Sequence, residues 1–299
     1  MDLPPTGHES VLLAEVLDLL APAPGRIIID CTIGRAGHAA AIAERLGPTG
    51  LLIGLDADPR NLEFAQKRLA ASPCTVRLFH ANFAELPDVL READVTHVHG
   101  LLADLGVSTN QLFDSSYGMS FANEMPLDMR IDPRTRLTAA DVVNHTREED
   151  LANLIYQLAQ ERYSRRVARK IIDARRLSPI TTTQRLADIV RSAIPRGGPP
   201  EKIDPATRTF LALRMRVNQE LKNLEALLRD APKLLHPDGR LAVISFQSME
   251  DRLVKQAFRA LDQSGNFEAL TKKPVSPADD ELSRNPRSRS AKMRVLRKL

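Results

Sequence analysis

In the first third of the chain, three short apolar, β-branched runs each end on an aspartate: Arg26 to Asp30, Leu51 to Asp56 and Val98 to Asp104. A fourth run, Val76 to Ala81, lies between the last two. Runs that stay apolar without alternating suit strands buried on both faces, as in a parallel sheet. The stretches between them, Gly37 to Leu46 and Arg60 to Ala70, carry apolar residues at helical spacing. The reading is β-α-β-α-β-α-β with right-handed crossovers, and the carboxyl ends of such strands are where these sheets bind ligands. This chain places carboxylates there.

After Asp104 the strand pattern stops. Leu151 to Arg176, Gln184 to Ala193 and Pro205 to Leu228 read as helices. Strands resume with Gly239 to Phe246, then Phe267 to Thr271, and Ala291 to Leu296 alternates as an edge strand would. Pro195 to Pro200 and Thr271 to Pro286 read as exposed loops. The expected architecture is α/β: a doubly wound sheet formed by residues 1–107 and 208–299, interrupted by a helical insertion at 108–207. The two cysteines, Cys31 and Cys74, supply neither a disulfide framework nor a paired-Cys zinc site, and the seven histidines show no ligand spacing, so no metal is expected. Nothing in the first ten residues resembles a signal peptide, and no apolar run is long enough to span a membrane.

Asp30 is followed by a turn, Cys31-Thr32-Ile33-Gly34-Arg35-Ala36-Gly37-His38, in which Gly34 and Gly37 permit close backbone approach. A tight strand-to-helix turn with no ligand fits these residues as well. Asp56 shifts the balance, because an acidic group closing the second strand commonly receives ribose hydroxyls. An anionic Asp30 beside the loop would repel a pyrophosphate and attract the ammonium and sulfonium of S-adenosylmethionine. The loop also lacks G-x-G-x-x-G. Phe83, after the third strand, could flank an adenine or serve as satellite core. Asp104 stands where such a sheet meets its substrate, as an acceptor for a reacting amine, a group orienting the cofactor, or a cap for the following turn.

On the insertion, Arg162, Arg165, Arg166, Arg169, Lys170, Arg175 and Arg176 share one expected helix, with Val167, Ala168, Ile171 and Ile172 on its other side. The carboxyl-terminal stretch adds Arg284, Arg287, Arg289, Lys292, Arg294, Arg297 and Lys298. Stripes of this kind suit RNA phosphates, or a solvated face. With 4% aromatic residues and no Trp, stacking platforms for single strands are scarce.

Long ordered segments resemble one family, the small-subunit ribosomal RNA cytosine-N4 methyltransferases (RsmH/MraW). They are His8 to Leu13, Asp30 to His38, Asp104 to Ser108 with Gln111 and Leu112, Phe121, Pro126 to Arg130, Pro205 to Phe210 with Arg214, Val217 to Leu221, Ile244 to Phe246 with Glu250 to Arg252, and Asn285 to Arg287. The resemblance implies a Rossmann-like, class I S-adenosylmethionine-dependent methyltransferase of the cytoplasm or an organelle. Its cofactor site would comprise Ala36, Gly37, His38, Asp56, Phe83, Asp104 and Gln111, to which the reading of the turn adds Asp30 and Gly34. The methyl acceptor would be a cytidine N4 in small-subunit ribosomal RNA, with Arg208 joining the RNA-contacting arginines, and the partner the RNA or the small subunit. A second copy of the chain is carried as a further candidate partner. The sequence departs from the family where Cys31 and Ala36 replace glycines, Thr109-Asn110 a Ser-Pro, and Gln247 a histidine. Those departures motivate an alternative, a non-catalytic ribosome-assembly factor that keeps the fold.

Overall fold

A computed structural model describes residues 10–195 and 203–299. The loop read at Pro195 to Pro200 therefore falls, apart from Pro195, outside the described residues, as do His8 and Glu9. The chain forms two compact units, residues 1–106 with 221–299, and residues 107–220.

The first unit is built on a seven-stranded sheet: β1 (Ile27–Asp30), β2 (Leu51–Asp56), β3 (Thr75–His80), β4 (Val98–Asp104), β5 (Leu235–Ser245), β6 (Phe267–Ala269) and β7 (Lys292–Lys298). Their order is β3-β2-β1-β4-β5-β7-β6. The first five are parallel, while β7 runs antiparallel to both β5 and β6. The order reverses at β1, between β2 and β4, which is the switch point of a doubly wound sheet. This is the α/β, Rossmann-like class.

Register sets the site. Asp30 pairs with Gly54 on one side and with Leu102 on the other, so the ends of β1, β2 and β4 lie abreast. Gly54 serves a close approach, because a Cβ there would collide with the Ile33 side chain that crosses over β2. Apolar side chains fill both sheet faces, Ile29, Ile53 and Leu101 on one and Ile28, Leu52 and Leu102 on the other. That two-sided burial accounts for the unbroken apolar runs.

The late strands differ from their sequence reading. β7 is interior and not an edge: Met293, Arg294, Val295 and Leu296 are all buried, and the short β6 covers its outer side. Its buried Arg294 is tolerated because Nε donates to Asp251 at 2.7 Å. The stretch 271–286 is not simply an exposed loop. It contains the helix Asp279–Arg284, whose buried Glu281 accepts the Leu12 backbone N–H at 2.9 Å.

The second unit is helical, around a core that includes Leu151, Ile155, Val167, Ile171, Leu186 and Leu213. The single helix expected over 151–176 is two, Glu148–Ala159 and Ser164–Leu177, broken where Gln160 turns left-handed at φ 53°. Pro205 to Leu228 likewise divides into Ala206–Val217 and Glu220–Asp230 around Gln219 at φ 50°. The helix Ala206–Val217 packs within this unit, so the return to the sheet comes after Glu220, later than the boundary at 207 read from the sequence.

Candidate active site

The turn after β1 is held by side chains from three strand ends. Thr32 N–H donates to Asp30 Oδ1 at 3.1 Å, and Thr32 Oγ1 accepts the Asp104 backbone N–H at 2.7 Å, which ties β1 to β4. Asp56 Oδ2 accepts the Gly34 N–H at 2.8 Å and Asn61 Nδ2 at 3.2 Å, while its Oδ1 accepts the Asp58 N–H at 2.8 Å. Gly34 and Ala36 are both left-handed, at φ 51° and 58°, and Ala36 caps the helix Gly37–Leu46. That conformation is one an alanine adopts only with strain.

His38, one residue into that helix, lies with Nε2 at 2.8 Å from the Val11 carbonyl and Nδ1 at 3.9 Å from Asp104 Oδ2. Asp104 Oδ1 is buried with no hydrogen-bond partner. Glu250, buried at the start of the helix Ser248–Gln263, accepts the backbone N–H groups of Phe246 and Gln247 at 3.1 and 3.0 Å and adds its charge to the field at Asp104.

Burial makes these carboxyls weak acids. The Asp104 carboxyl is pushed up to about 8, first by desolvation and then by the charges of Asp30 and Glu250. Asp30 rises to about 7, again by desolvation, with Asp56 opposing its ionisation and the Thr32 N–H favouring it. Asp56 reaches only about 6, because the Asp58 and Gly34 N–H groups offset much of its burial. The site is thus an acidic cradle whose ionisation near neutral pH a positive charge would favour and an anion would oppose.

The structure therefore brings Asp30, Gly34, Ala36, Gly37, His38, Asp56 and Asp104 together at the carboxyl ends of three adjacent strands. Phe83 follows β3 in a short turn capped by Asn82 and packs, partly buried, against the core on one face of the sheet. Gln111 belongs to the second unit, where its Oε1 accepts the Ser108 N–H at 2.9 Å in a capping box. The roles of Asn61 and Glu250 were not read from the sequence. The signals present were Asp58-Pro59, a capping residue with proline at the first helical position, and the three-residue spacing of Gln247 and Glu250.

A sequence model of the MraW methylase family matches residues 5–299. The chain belongs to the MraW methylase family. It is similar to proteins named ribosomal RNA small subunit methyltransferase H from several bacteria. The one from Syntrophotalea carbinolica is 45% identical, over 98% of this chain and 98% of that one. The relative from Koribacter versatilis is 48% identical, over 96% and 93%, and that from Geobacter sulfurreducens 46%, over 98% and 99%.

On the helical unit of this family member, the helix Ser164–Leu177 buries Val167, Ala168, Ile171 and Ile172 and exposes Arg165, Arg166, Arg169, Lys170 and Arg176. Arg169 lies 3.4 Å from Glu148. Arg175 is a correction to the basic stripe: its guanidinium turns inward and donates to the Val143 and Thr146 carbonyls, at 2.7 Å each. Arg162 precedes the helix and stacks over the Tyr163 ring, and Arg208 sits 3.6 Å from the buried Glu161. The carboxyl-terminal stretch is not a free basic stripe either. Arg294 is bound to Asp251, Arg297 to Glu268 at 2.7 Å, and Lys298 to the Leu235 carbonyl. Among the described residues no cluster could hold a metal ion, and no helix is long and apolar enough to cross a membrane.

Proposed function

We propose that this chain uses S-adenosylmethionine to methylate the exocyclic N4 of a cytidine in small-subunit ribosomal RNA. The observation that carries the reading is the cradle of Asp30, Asp56 and Asp104 at the switch point, in a chain whose relatives at 45–48% identity are named ribosomal RNA small subunit methyltransferase H. A site whose carboxyls resist ionisation in isolation suits a cation and disfavours a pyrophosphate. The buried, unpartnered Asp104 Oδ1 is an acceptor that lacks a donor, which fits an ammonium or an amine. Asp56 Oδ1, holding one N–H, keeps a lone pair for a ribose hydroxyl.

Bound S-adenosylmethionine would supply an electrophilic methyl group. Gly34, Ala36 and Gly37 would bring backbone close to it, Asp56 would hold its ribose, and Asp30 and Asp104 would face its positive end. The family resemblance adds His38, Phe83 and Gln111. Methyl transfer to an amine is a direct displacement, so the protein's task is to hold the nucleophile in line. An acceptor on the amine N–H, such as Asp104, would favour the pyramidal geometry of the transition state. Arg165, Arg166, Arg169 and Lys170 would meet RNA phosphates, with Arg162 and Arg208 beside them.

The deciding experiment incubates the purified protein with methyl-labelled S-adenosylmethionine and unmethylated small subunits, then digests the RNA to nucleosides for mass spectrometry. Label in N4-methylcytidine is expected. Label in another nucleoside would move the substrate assignment, and no label would favour the assembly-factor reading.

A further inference from the structure

Within the helical unit a pocket of about 530 Å³ is lined by Asp132, Arg134, Thr135, Arg136, Arg216 and Gln219 among others, and by no residue of the helix Ser164–Leu177. Three guanidiniums face it against one carboxylate. That carboxylate is already engaged: Asp132 Oδ2 accepts Arg134 Nη2 at 2.7 Å and Nε at 2.9 Å, and its Oδ1 accepts the Arg134 backbone N–H at 2.8 Å. Arg136 and Arg216 are exposed and have no ion-pair partner among the described residues. Two positive charges therefore remain uncompensated at one cavity.

The two walls are fixed relative to one another. Asn218, at the end of the helix Ala206–Val217, accepts the Ile131 N–H through Oδ1 at 2.9 Å and donates through Nδ2 to the Met129 carbonyl at 2.8 Å. The segment bearing Arg134 and Arg136 is thus pinned to the helix end bearing Arg216. Arg136 and Arg216 extend from a braced frame, so less backbone entropy is lost when an anion is gripped between them.

We propose that this pocket binds the phosphodiester backbone of the substrate RNA, through Arg136 and Arg216, as a contact separate from the basic helix. Guanidiniums pair bidentately with phosphate oxygens, and the cavity is far larger than one phosphate, which suits a run of ribose-phosphate. The inference rests on the RNA reading given under Proposed function.

The test compares the full chain with Arg136→Ala/Arg216→Ala and Arg136→Lys/Arg216→Lys, using transcribed small-subunit ribosomal RNA as probe over a series of salt concentrations. Loss of two phosphate contacts should reduce the slope of log affinity against log salt by about 1.4 to 1.8 in the alanine variant. The lysine variant should keep the parental slope, and S-adenosylmethionine affinity by calorimetry should match the parent in both. An unchanged slope in the alanine variant overturns the site. Loss of inorganic phosphate binding without a change in RNA slope makes it a free-anion site and overturns it equally. A parent that binds no ribosomal RNA removes both this inference and the RNA reading, whereas a parent that binds RNA but transfers no methyl group removes only the proposed activity.

Discussion

His38 Nδ1 faces Asp104 Oδ2 across 3.9 Å while the other ring nitrogen is fixed 2.8 Å from the Val11 carbonyl. At that separation the two do not form a hydrogen bond; a ring whose Nε2–H donates to that carbonyl turns the Nδ1 lone pair toward Asp104, which favours the neutral acid over the carboxylate. The ring therefore suits a ligand-free site that keeps its acid neutral, and only a positive charge brought in by a ligand would favour the ionised form.

A pH dependence follows. Asp30, Asp56 and Asp104 titrate in the folded chain at about 7, 6 and 8, above the ordinary 3.8. Over that interval the folded state holds protons the unfolded chain has shed. Their contribution to stability is complete below about pH 4 and is lost as pH rises through these folded values. The melting temperature of the ligand-free protein should fall between about pH 4 and 8, most steeply below about pH 6, and Asp104→Asn should flatten that fall and remove its upper part. Binding of S-adenosylmethionine at pH 7 should release protons, measurable by calorimetry in buffers of different ionisation enthalpy. Binding without proton release would mean that the carboxyls are already ionised.

Asp56 shapes the loop, and under the proposed function it also holds the ribose; its removal should show both. Asp56→Ala would remove the acceptor proposed for the ribose and also free the Gly34 and Asp58 N–H groups that shape the loop. Cofactor affinity should weaken by about 2 to 3 kcal/mol, accompanied by a lower melting temperature. Calorimetry with a parallel melting curve checks this, and unchanged affinity in a folded variant would put the ribose elsewhere.

Ala36 illustrates how opposing terms cancel. The left-handed backbone costs an alanine about 1 to 2 kcal/mol, but its methyl is fully buried and contributes about 0.8 kcal/mol. The extra freedom of glycine in the unfolded chain takes back a further few tenths to 1 kcal/mol. Ala36→Gly should change stability by less than about 1 kcal/mol and leave cofactor affinity within about twofold, because the loop already has the glycine-like conformation. A gain of several kcal/mol in chemical denaturation would show that the strain is larger.

The first half of the sheet was legible because burial on both faces writes continuous apolar runs and register then fixes where Asp30, Asp56 and Asp104 fall. The helix breaks were not legible. Gln160 and Gln219 turn left-handed without glycine or proline to mark them, since tertiary packing outweighs a local cost of about 1 kcal/mol. Nor could charge alone sort the arginines. Arg165 is exposed and Arg175, ten positions on, is spent on backbone carbonyls. Several segments carrying the family resemblance serve the scaffold of the helical unit: Asp128 grips Arg130, Arg214 grips Glu220, and Asn218 joins a helix to a loop.

That sorting of arginines can be tested directly. Charge reversal at Arg165 and Arg169 should raise the RNA dissociation constant and flatten its salt dependence, with cofactor affinity intact. Arg175→Ala should instead lower stability by about 2 kcal/mol, since it removes charge-assisted bonds to two carbonyls, and should leave the salt slope near the parental value. Equal slopes for parent and the reversed variant would take this helix out of the RNA contact.

Gln247 stands where the family resemblance leads one to expect a histidine, at the start of the helix that follows β5, with its backbone N–H held by Glu250 Oε2 at 3.0 Å. If that position had to supply a general base, this chain would be inactive, because an amide cannot take up a proton near neutral pH. Methyl transfer itself removes the need. In the proposed reaction the methylated amine would be a strongly acidic cation whose surplus proton could pass to solvent or to a carboxylate such as Asp104. The backbone contact with Glu250 does not depend on the side chain, so the helix start should survive substitution. Gln247→His should therefore change the single-turnover rate by less than about tenfold, or ~1.4 kcal/mol. A hundredfold gain, with a new inflection near the unperturbed histidine value of about 6.5, would show that a base had been missing.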